Sequence, residues 1–214
     1  MTTLSDSMVN RWTGLLERLG DRGDARTMWL ILVALYNHPS REYHSLTHIA
    51  DCLDLFDRVK AEAQSTDRVE IALWLHDCVY NAAANDNEEL SADVAMVMLR
   101  EIGASIECQA AVRNLVLATR HREPPGSLDE SIVVDIDLSI LGSARERYDA
   151  YRSQIRSEYR FVDDERFRAG RSKFLKSMLD RPRVFTTDVI RDRLEAAARA
   201  NMSWELELLN RGMR

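Results

Sequence analysis

The sequence predicts an all-α protein, a single-domain helical bundle of about nine to ten helices. Apolar residues recur every three to four positions in nearly every segment, which is the spacing of an amphipathic helix. Only four prolines and eight glycines occur in 214 residues, and so few helix breakers favour long helices over a sheet with many tight turns. The length suits one good core and is short for two independent domains.

Ten helical segments follow from the apolar spacing and from capping residues at the segment ends. They cover residues 6–19, 24–37, 45–63, 67–80, 88–102, 105–120, 129–141, 145–161, 165–179 and 187–210. Asp24, Ser45 and Asp67 are the expected N-caps of the second, third and fourth helices.

One segment, SIVVDIDLSI at residues 131–140, is rich in β-branched residues that also suit a strand. A lone strand would have no partner, so we expect a helix here too. The loop around residues 124–126 is the best candidate domain boundary. Because the site proposed below takes residues from both sides of it, we expect one domain over residues 1–214. Its metal-site core would span about residues 24–142, with helices at 145–210 packed on that core.

The composition describes a soluble globular protein, with 45% hydrophobic and 30% charged residues. The formal net charge of -6 argues against general nucleic-acid binding and against binding to an anionic membrane. The longest apolar run, residues 28–36, is less than half of the roughly 20 residues that a membrane span needs. The three cysteines form no CxxC pair, which predicts buried, reduced thiols in a cytoplasmic protein.

Two of the five histidines lie four residues apart in the stretch YHSLTH, residues 43–48. His44 and His48 would share one face at the start of the third helix, since residues i and i+4 are neighbours on a helix. Cys52 and Leu55 follow on that face and turn it inward. Taken alone, the pair also fits two partly exposed histidines at a helix N-terminus.

A third histidine precedes an aspartate inside the apolar run EIALWLHDCVY, residues 70–80. An ionised carboxylate such as that of Asp77 is almost never left unpaired in such surroundings. It needs a cation, an arginine or a metal ion. The alternative is that His76 and Asp77 form a satisfied pair in the core.

Two aspartates two residues apart occur in the stretch VVDIDLSILG, residues 133–142. On a helix they point to nearly opposite sides, and the helical neighbours of Asp137 are all apolar. We therefore expect Asp137 to be the buried carboxylate, and Asp135 to orient it or to cap a nearby element. If the segment were a strand, both would share one face and this choice would weaken.

Together these motifs supply two imidazoles and two carboxylates, from His48, His76, Asp77 and Asp137. Mixed nitrogen and oxygen ligands suit a divalent ion such as manganese, iron, nickel, zinc or magnesium. With four protein ligands, an octahedral ion keeps two positions for water and substrate, which indicates catalysis.

The order of these motifs resembles that of the HD-domain superfamily of metal-dependent phosphohydrolases: a histidine, a His-Asp pair, then a distant aspartate followed by leucine. The stretch YHSLTHIADCL, residues 43–53, is similar to the YHNxxHAxDV stretch of cyclic-nucleotide phosphodiesterases, which share that helical fold. Further stretches look like those of a bacterial subfamily described as predicted HD phosphohydrolases. They are residues 41–48, 87–92, 118–121, 135–142 and 148–159.

The resemblance implies hydrolysis of a phosphomonoester or phosphodiester of a small metabolite, with a nucleotide favoured, by metal-activated water. It implies that His48 binds the metal and that His44 donates a proton to the leaving group. Asp77 would bind the ion and also hold the water. Glu88 would orient the water or anchor Arg41. Phosphodiesterases carry further ligands for a second ion, and only one comparable extra histidine, His121, exists here, so a second metal is left open.

Phosphate binding calls for cations, and the forked donors of arginine suit it best. Arg41 is the first candidate because it lies beside the first histidine pair. Arg120 ends the sixth predicted helix and His121 begins the loop after it, and Arg156 and Arg171 are weaker candidates on amphipathic helices. For each of these residues the alternative is a solvated surface position.

A second function is compatible with the same residues, because a fold alone does not establish activity. The protein would then be a metal-bound nucleotide sensor or interaction module that hydrolyses nothing. The expected partner is a small phosphorylated metabolite, with neither general nucleic-acid binding nor membrane association. A homodimer through the exposed face of the last helix, with Trp204 and Leu208, is left open.

Overall fold

The computed structural model describes residues 4–20 and 24–212, and within these ranges the protein forms ten α-helices and no strand. This confirms the all-α class and the number of helices. The helices are α1 (Leu4–Leu19), α2 (Ala25–Tyr36), α3 (Leu46–Val59), α4 (Thr66–Leu75), α5 (Asn87–Glu101), α6 (Ile106–Ala118), α7 (Leu128–Asp137), α8 (Arg145–Glu158), α9 (Asp164–Leu179) and α10 (Asp188–Asn210). Short 3₁₀ segments follow α3 at Lys60–Glu62 and α7 at Leu138–Gly142.

The structure also bears on the predictions about membrane spans and cysteines. None of the helices in the described ranges combines the length and the hydropathy that crossing a bilayer requires. Cys52, Cys78 and Cys108 are free and buried, as expected for reduced thiols. Burial raises the pKa of the Cys78 thiol to about 12, so this side chain behaves as a small apolar group.

The helix N-termini show which predicted caps form. Asp24 caps α2 as predicted, because its carboxylate accepts hydrogen bonds from the backbone N–H groups of Arg26 and Thr27. Ser45 occupies the N-cap position of α3, but its side chain makes no capping bond. The prediction that Asp67 caps α4 was wrong, since the helix begins one residue earlier and Ser65 is at the N-cap.

The start of α4 is instead held by a carboxylate that is distant in sequence. Asp129, in the first turn of α7, accepts the backbone N–H groups of Gln64 at 2.7 Å and Ser65 at 3.0 Å. These two N–H groups precede the helix and would otherwise lack partners on its N-terminal side. A local search for capping residues cannot find this bond, because its acceptor is 64 residues away from Ser65.

The contacts divide the chain into two compact units, Met1–Val134 and Asp135–Arg214, with the boundary inside α7. The single domain expected from the sequence stays a prediction. In the first unit three tryptophans pack edge to face, with the ring of Trp74 at 5.6 Å from Trp12 and 5.9 Å from Trp29. This packing anchors the C-terminal end of α4 against α1 and α2.

The second unit contains α8, α9, α10 and the 3₁₀ segment after α7. Gly142 packs directly on α10, where a Cβ atom added to it would lie 2.6 Å from the Cβ of Leu194 and 2.8 Å from its carbonyl oxygen. Only glycine allows this approach. Asn201 reinforces the contact by donating to the carbonyls of Leu141 and Ser143, both at 2.9 Å.

A buried polar network joins the helices of the second unit. The guanidinium of Arg171 donates to both carboxylate oxygens of Glu205, at 2.9 and 3.0 Å, and to the hydroxyl of Tyr151 at 3.1 Å. Tyr148 donates to Glu205 at 2.5 Å. Burial, with the Glu205 carboxylate beside it, raises the pKa of Tyr148. The donors of Arg171, a weaker phosphate candidate by sequence, are therefore engaged inside the protein.

We expect Glu205→Ala to lower the free energy of unfolding by about 3–5 kcal/mol, because it leaves the Arg171 cation buried without its partner. Glu207→Ala is the matched control, since Glu207 lies on the same helix with 67% of its side chain exposed. It should change stability by less than about 0.5 kcal/mol. Urea unfolding followed by circular dichroism measures both, and equal small effects would show that the network contributes little.

Candidate metal centre

Two histidine rings face each other in the core of the first unit. His48 is in the first turn of α3, and His76 directly follows the last residue of α4 at the C-cap. Their side chains are 2% and 1% exposed, and their Nε2 atoms are 3.3 Å apart. Two imidazole nitrogens held this close in a buried setting are typical of ligands that share one ion.

The carboxylate of Asp77 joins the two histidines. Its Oδ2 lies 3.1 Å from Nε2 of His76 and 3.7 Å from Nε2 of His48. Asp137, the last residue of α7, supplies the fourth ligand atom, and all four ligand atoms lie within 4.8 Å of one another. The four residues predicted as a metal-ligand set therefore form one cluster.

The spacing of these atoms fits an ion at their centre. Nitrogen and oxygen ligands about 2.0–2.2 Å from a metal lie roughly 3–4.4 Å from one another, depending on the angle between them. The three distances among His48, His76 and Asp77 fall inside that range. Two nitrogen and two oxygen donors suit the borderline and hard divalent ions.

Further contacts orient the histidine rings. Nδ1 of His76 lies 3.0 Å from the carbonyl oxygen of Leu73, which accepts its proton and places the ring's lone pair on Nε2, the nitrogen that faces His48. The Sγ atom of Cys52 lies 3.7 Å from each ring nitrogen of His48. The ring centre of Tyr43 lies 4.7 Å from that of His48. The rings are therefore fixed by packing before any ion binds.

The buried guanidinium of Arg41 connects the two chain segments that carry these residues. Nη1 donates to the carbonyl oxygens of His44 at 2.9 Å and Asp77 at 2.6 Å, and Nη2 donates to that of Cys78 at 2.8 Å. The guanidinium also lies over the rings of Tyr36 and Tyr80. Arg41 therefore positions the loops, whereas its predicted contact with phosphate stays a prediction.

The chain beyond His76 is held in a turn by α5 as well. The hydroxyl of Ser91 accepts from the N–H of Val79 at 3.0 Å and donates to its carbonyl at 3.2 Å. Asn81 and Asn87 exchange two further hydrogen bonds. The prediction that α4 continues to residue 80 was wrong, because these groups bind the backbone that another helical turn would need.

The two histidines of the opening motif occupy different places. His48 belongs to the ligand cluster, whereas His44 does not, and their ring centres are 6.1 Å apart. The half-buried ring of His44 stacks on Tyr80 at 4.0 Å and meets the edge of Tyr43 at 4.9 Å. His44 is thus held beside the cluster without being part of it, and its predicted role as an acid stays a prediction.

The burial predicted for Asp135 and Asp137 was wrong, although the choice of Asp137 for the cluster agrees with the structure. Asp137 is the residue in the cluster, as predicted, but it is half-buried, whereas Asp135 is fully buried. Asp135 accepts four hydrogen bonds, from the backbone N–H and the hydroxyl of Thr186 and of Thr187, just before α10. Burial raises its pKa, and these bonds oppose that rise. Asp135 therefore caps an element, one of the two roles expected for it.

The remaining predicted site residues also lie outside the cluster. Glu88 is half-buried in the first turn of α5, and its side chain makes no hydrogen bond or ion pair with the residues that the structure describes. Arg120 forms an ion pair with Glu89. His121 has a left-handed backbone with φ 55°, which non-glycine residues adopt mainly where surrounding structure demands it. Arg156, in the second unit, donates to two backbone carbonyls and to Asp164.

Sequence reasoning missed the residues that position the ligands. Ser91 and the carbonyl-binding role of Arg41 leave no periodic signal, because both act on backbone groups distant in sequence. Two small cues exist: Ser91 lies on the buried face of an otherwise amphipathic helix, and Arg41 follows directly on a Pro-Ser turn. Either could have indicated a structural contact rather than a solvated residue.

Comparisons with known proteins add no further assignment. No protein-family model, curated protein or solved structure matches this chain. The function therefore has to be inferred from the geometry of the cluster and from the residues around it.

We expect Arg41→Ala to weaken binding of Mn²⁺ about 10–100-fold, as is typical when a group that orients metal ligands is lost. Arg41→Lys keeps the charge but cannot bridge three carbonyls with one fork of donors, so it should recover only part of the affinity. Calorimetric titration with Mn²⁺ measures both. Arg58→Ala, on the exposed side of α3, is the control and should bind like the unchanged protein; wild-type affinity in Arg41→Ala would remove the positioning role.

Proposed function

We propose that this protein is a metal-dependent hydrolase of phosphate esters, acting on a small metabolite and most simply on a nucleotide. The observation that carries the proposal is the group of His48, His76, Asp77 and Asp137, whose ligand atoms lie within 4.8 Å of one another. The resemblance of the motifs to HD-domain phosphohydrolases supports the same class.

The residues of the cluster would hold one divalent ion, with His48 and His76 as nitrogen ligands and Asp77 and Asp137 as oxygen ligands. Bound there, the ion would supply an acidified water and offset negative charge on phosphoryl oxygens. Asp77 has a second carboxylate oxygen, which can accept a hydrogen bond from that water. The cluster offers two ligands of each kind and so selects no single metal among manganese, iron, nickel, zinc and magnesium.

Two side chains outside the cluster are suited to move protons. His44 is held by stacking on Tyr80 and would carry the proton that the departing alkoxide takes. Glu88 is a half-buried carboxylate without a partner among the described residues, and it would accept a hydrogen bond from the attacking water. Neither role requires the residue to bind the ion.

Arg41 would contribute charge rather than a direct hydrogen bond to the substrate. Its two terminal nitrogens already donate to backbone carbonyls, and no carboxylate in the described parts of the chain pairs with it. A buried cation compensated only by dipoles and aromatic rings leaves a positive potential, which attracts an anionic phosphate. Its Nε has no hydrogen-bond partner in the described structure.

A second function, the non-hydrolytic nucleotide sensor, is favoured by one observation. The terminal groups of the four arginines predicted to bind phosphate are engaged by carbonyls or carboxylates; they are Arg41, Arg120, Arg156 and Arg171. An enzyme whose arginines are engaged in this way would bind phosphate mainly through its metal ion. Tight nucleotide binding without turnover would support the sensor.

Metal analysis and an activity screen on the same preparation test the proposal. Purified protein loaded with Mn²⁺ or Ni²⁺ should retain about one ion per chain and release phosphate or cleave a diester in a panel of nucleotides and sugar phosphates. Asp77→Ala should lose the ion and lower turnover by at least about 100-fold, since it removes a ligand and the hydrogen-bond acceptor for water. Full turnover without stoichiometric metal would falsify the proposal.

The paired histidines give a sharper test, because the structure places only one of them in the cluster. His48→Ala should lose the ion, whereas His44→Ala should keep the ion and lose about 100-fold or more in rate, as removal of a general acid does. His38→Ala is the control, since the His38 side chain is exposed and, in the described structure, its ring bonds to the neighbouring Ser40. Equal metal loss in His44→Ala and His48→Ala would show that the pair is not divided in this way.

A further inference from the structure

The second unit contains a cavity that none of the four metal-ligand candidates lines. It lies among α8, α9 and the C-terminal part of α10 and has a volume of about 240 Å³. Three guanidinium groups line it, those of Arg152, Arg156 and Arg168, together with the apolar side chains of Phe167 and Leu209. The cavity thus combines a concentration of positive charge with an apolar wall.

The carboxylates at this cavity are already engaged. Glu205 accepts two hydrogen bonds from Arg171, and Asp164 accepts one from Arg156 at 2.9 Å. Arg168 is half-buried, and it makes no hydrogen bond or ion pair with the described residues. A guanidinium withdrawn partly from water without a partner leaves a positive potential that the cavity focuses.

Two of the other arginines that line the cavity are held in place. Arg156 donates to the carbonyl oxygens of Tyr159 at 2.8 Å and Val162 at 3.0 Å, and its guanidinium lies 4.7 Å from the ring centre of Phe167. Arg152 is held by two bonds to Asp149 at 2.9 and 3.1 Å. Side chains held before binding lose little entropy when a ligand arrives.

We propose that this cavity binds a small phosphomonoester whose organic part is a ring or a short apolar group. The phosphate would lie at the guanidinium groups, with Arg168 as its direct partner, because arginine matches the geometry of phosphate oxygens. The organic group would pack against Phe167 and Leu209. A volume of about 240 Å³ lies below the roughly 300–1,000 Å³ of pockets for drug-sized ligands, so the ligand is small.

Phenyl phosphate is the probe for this site, added to the full chain after metal has been removed with a chelator. Calorimetry should detect binding, and phenyl phosphate should bind more tightly than inorganic phosphate because only it fills the apolar wall. Arg168→Gln should weaken phenyl phosphate roughly 10–100-fold, the value of one hydrogen bond to a charged group. Arg166→Gln is the matched control, since Arg166 lies two residues away with 85% of its side chain exposed, and it should bind normally.

A second variant tests the cavity without changing its charge. Ser153 lines the cavity and is exposed, so Ser153→Trp should fill the opening and abolish binding while the protein stays folded by circular dichroism. The proposal is overturned if Arg168→Gln binds phenyl phosphate like the unchanged protein, or if inorganic phosphate binds equally well. It is also overturned if His48→Ala removes the binding, which would place the phosphate at the metal-ligand cluster. Because the metal is absent, the result is independent of the proposed hydrolase activity.

Discussion

The guanidinium of Arg41 is the contact on which the candidate metal centre depends. It binds three carbonyl oxygens at 2.6 to 2.9 Å, one in the segment that leads into α3 and two in the segment that leaves α4. These segments carry His44 and His48 on one side and His76 and Asp77 on the other. The planar guanidinium sets the distance between the two segments, because its terminal nitrogens donate in fixed, diverging directions. The compact ammonium group of a lysine could not do this.

The end of α4 shows why this constraint matters for chemistry. On a continuous helix His76 and Asp77 would point about 100° apart, and only one of them would face an ion well. The helix instead ends at Leu75, and Arg41 and Ser91 bind the backbone groups of the following turn. In this turn the Oδ2 atom of Asp77 lies 3.1 Å from Nε2 of His76. The motif therefore lies where α4 ends, on backbone that residues distant in sequence hold by hydrogen bonds.

Much of the fold and the identity of the ligands could be predicted from local patterns. Ten helices follow from apolar spacing, which is a property of each segment alone. His48, His76, Asp77 and Asp137 could be selected because scarce or charged side chains in apolar surroundings need partners. The burial of Asp135 could not be predicted in this way. It depends on hydrogen bonds from Thr186 and Thr187, which are distant in sequence. The residues beside Asp135 give no indication of these partners.

Two polar clusters in the described structure differ in what they leave to be bound. In the second unit, Arg171 satisfies both oxygens of Glu205 with its own charge, so that network is complete without a ligand. In the metal-ligand cluster two carboxylates and two imidazoles converge within 4.8 Å, while Arg41 directs its donors to carbonyls rather than to the carboxylate of Asp77. Converging acceptors of this kind are unfavourable to bury unless a cation joins them. A bound divalent ion would relieve that repulsion and stabilise the folded chain by an amount that grows with the logarithm of its affinity, which would link metal binding to stability as well as to the proposed function.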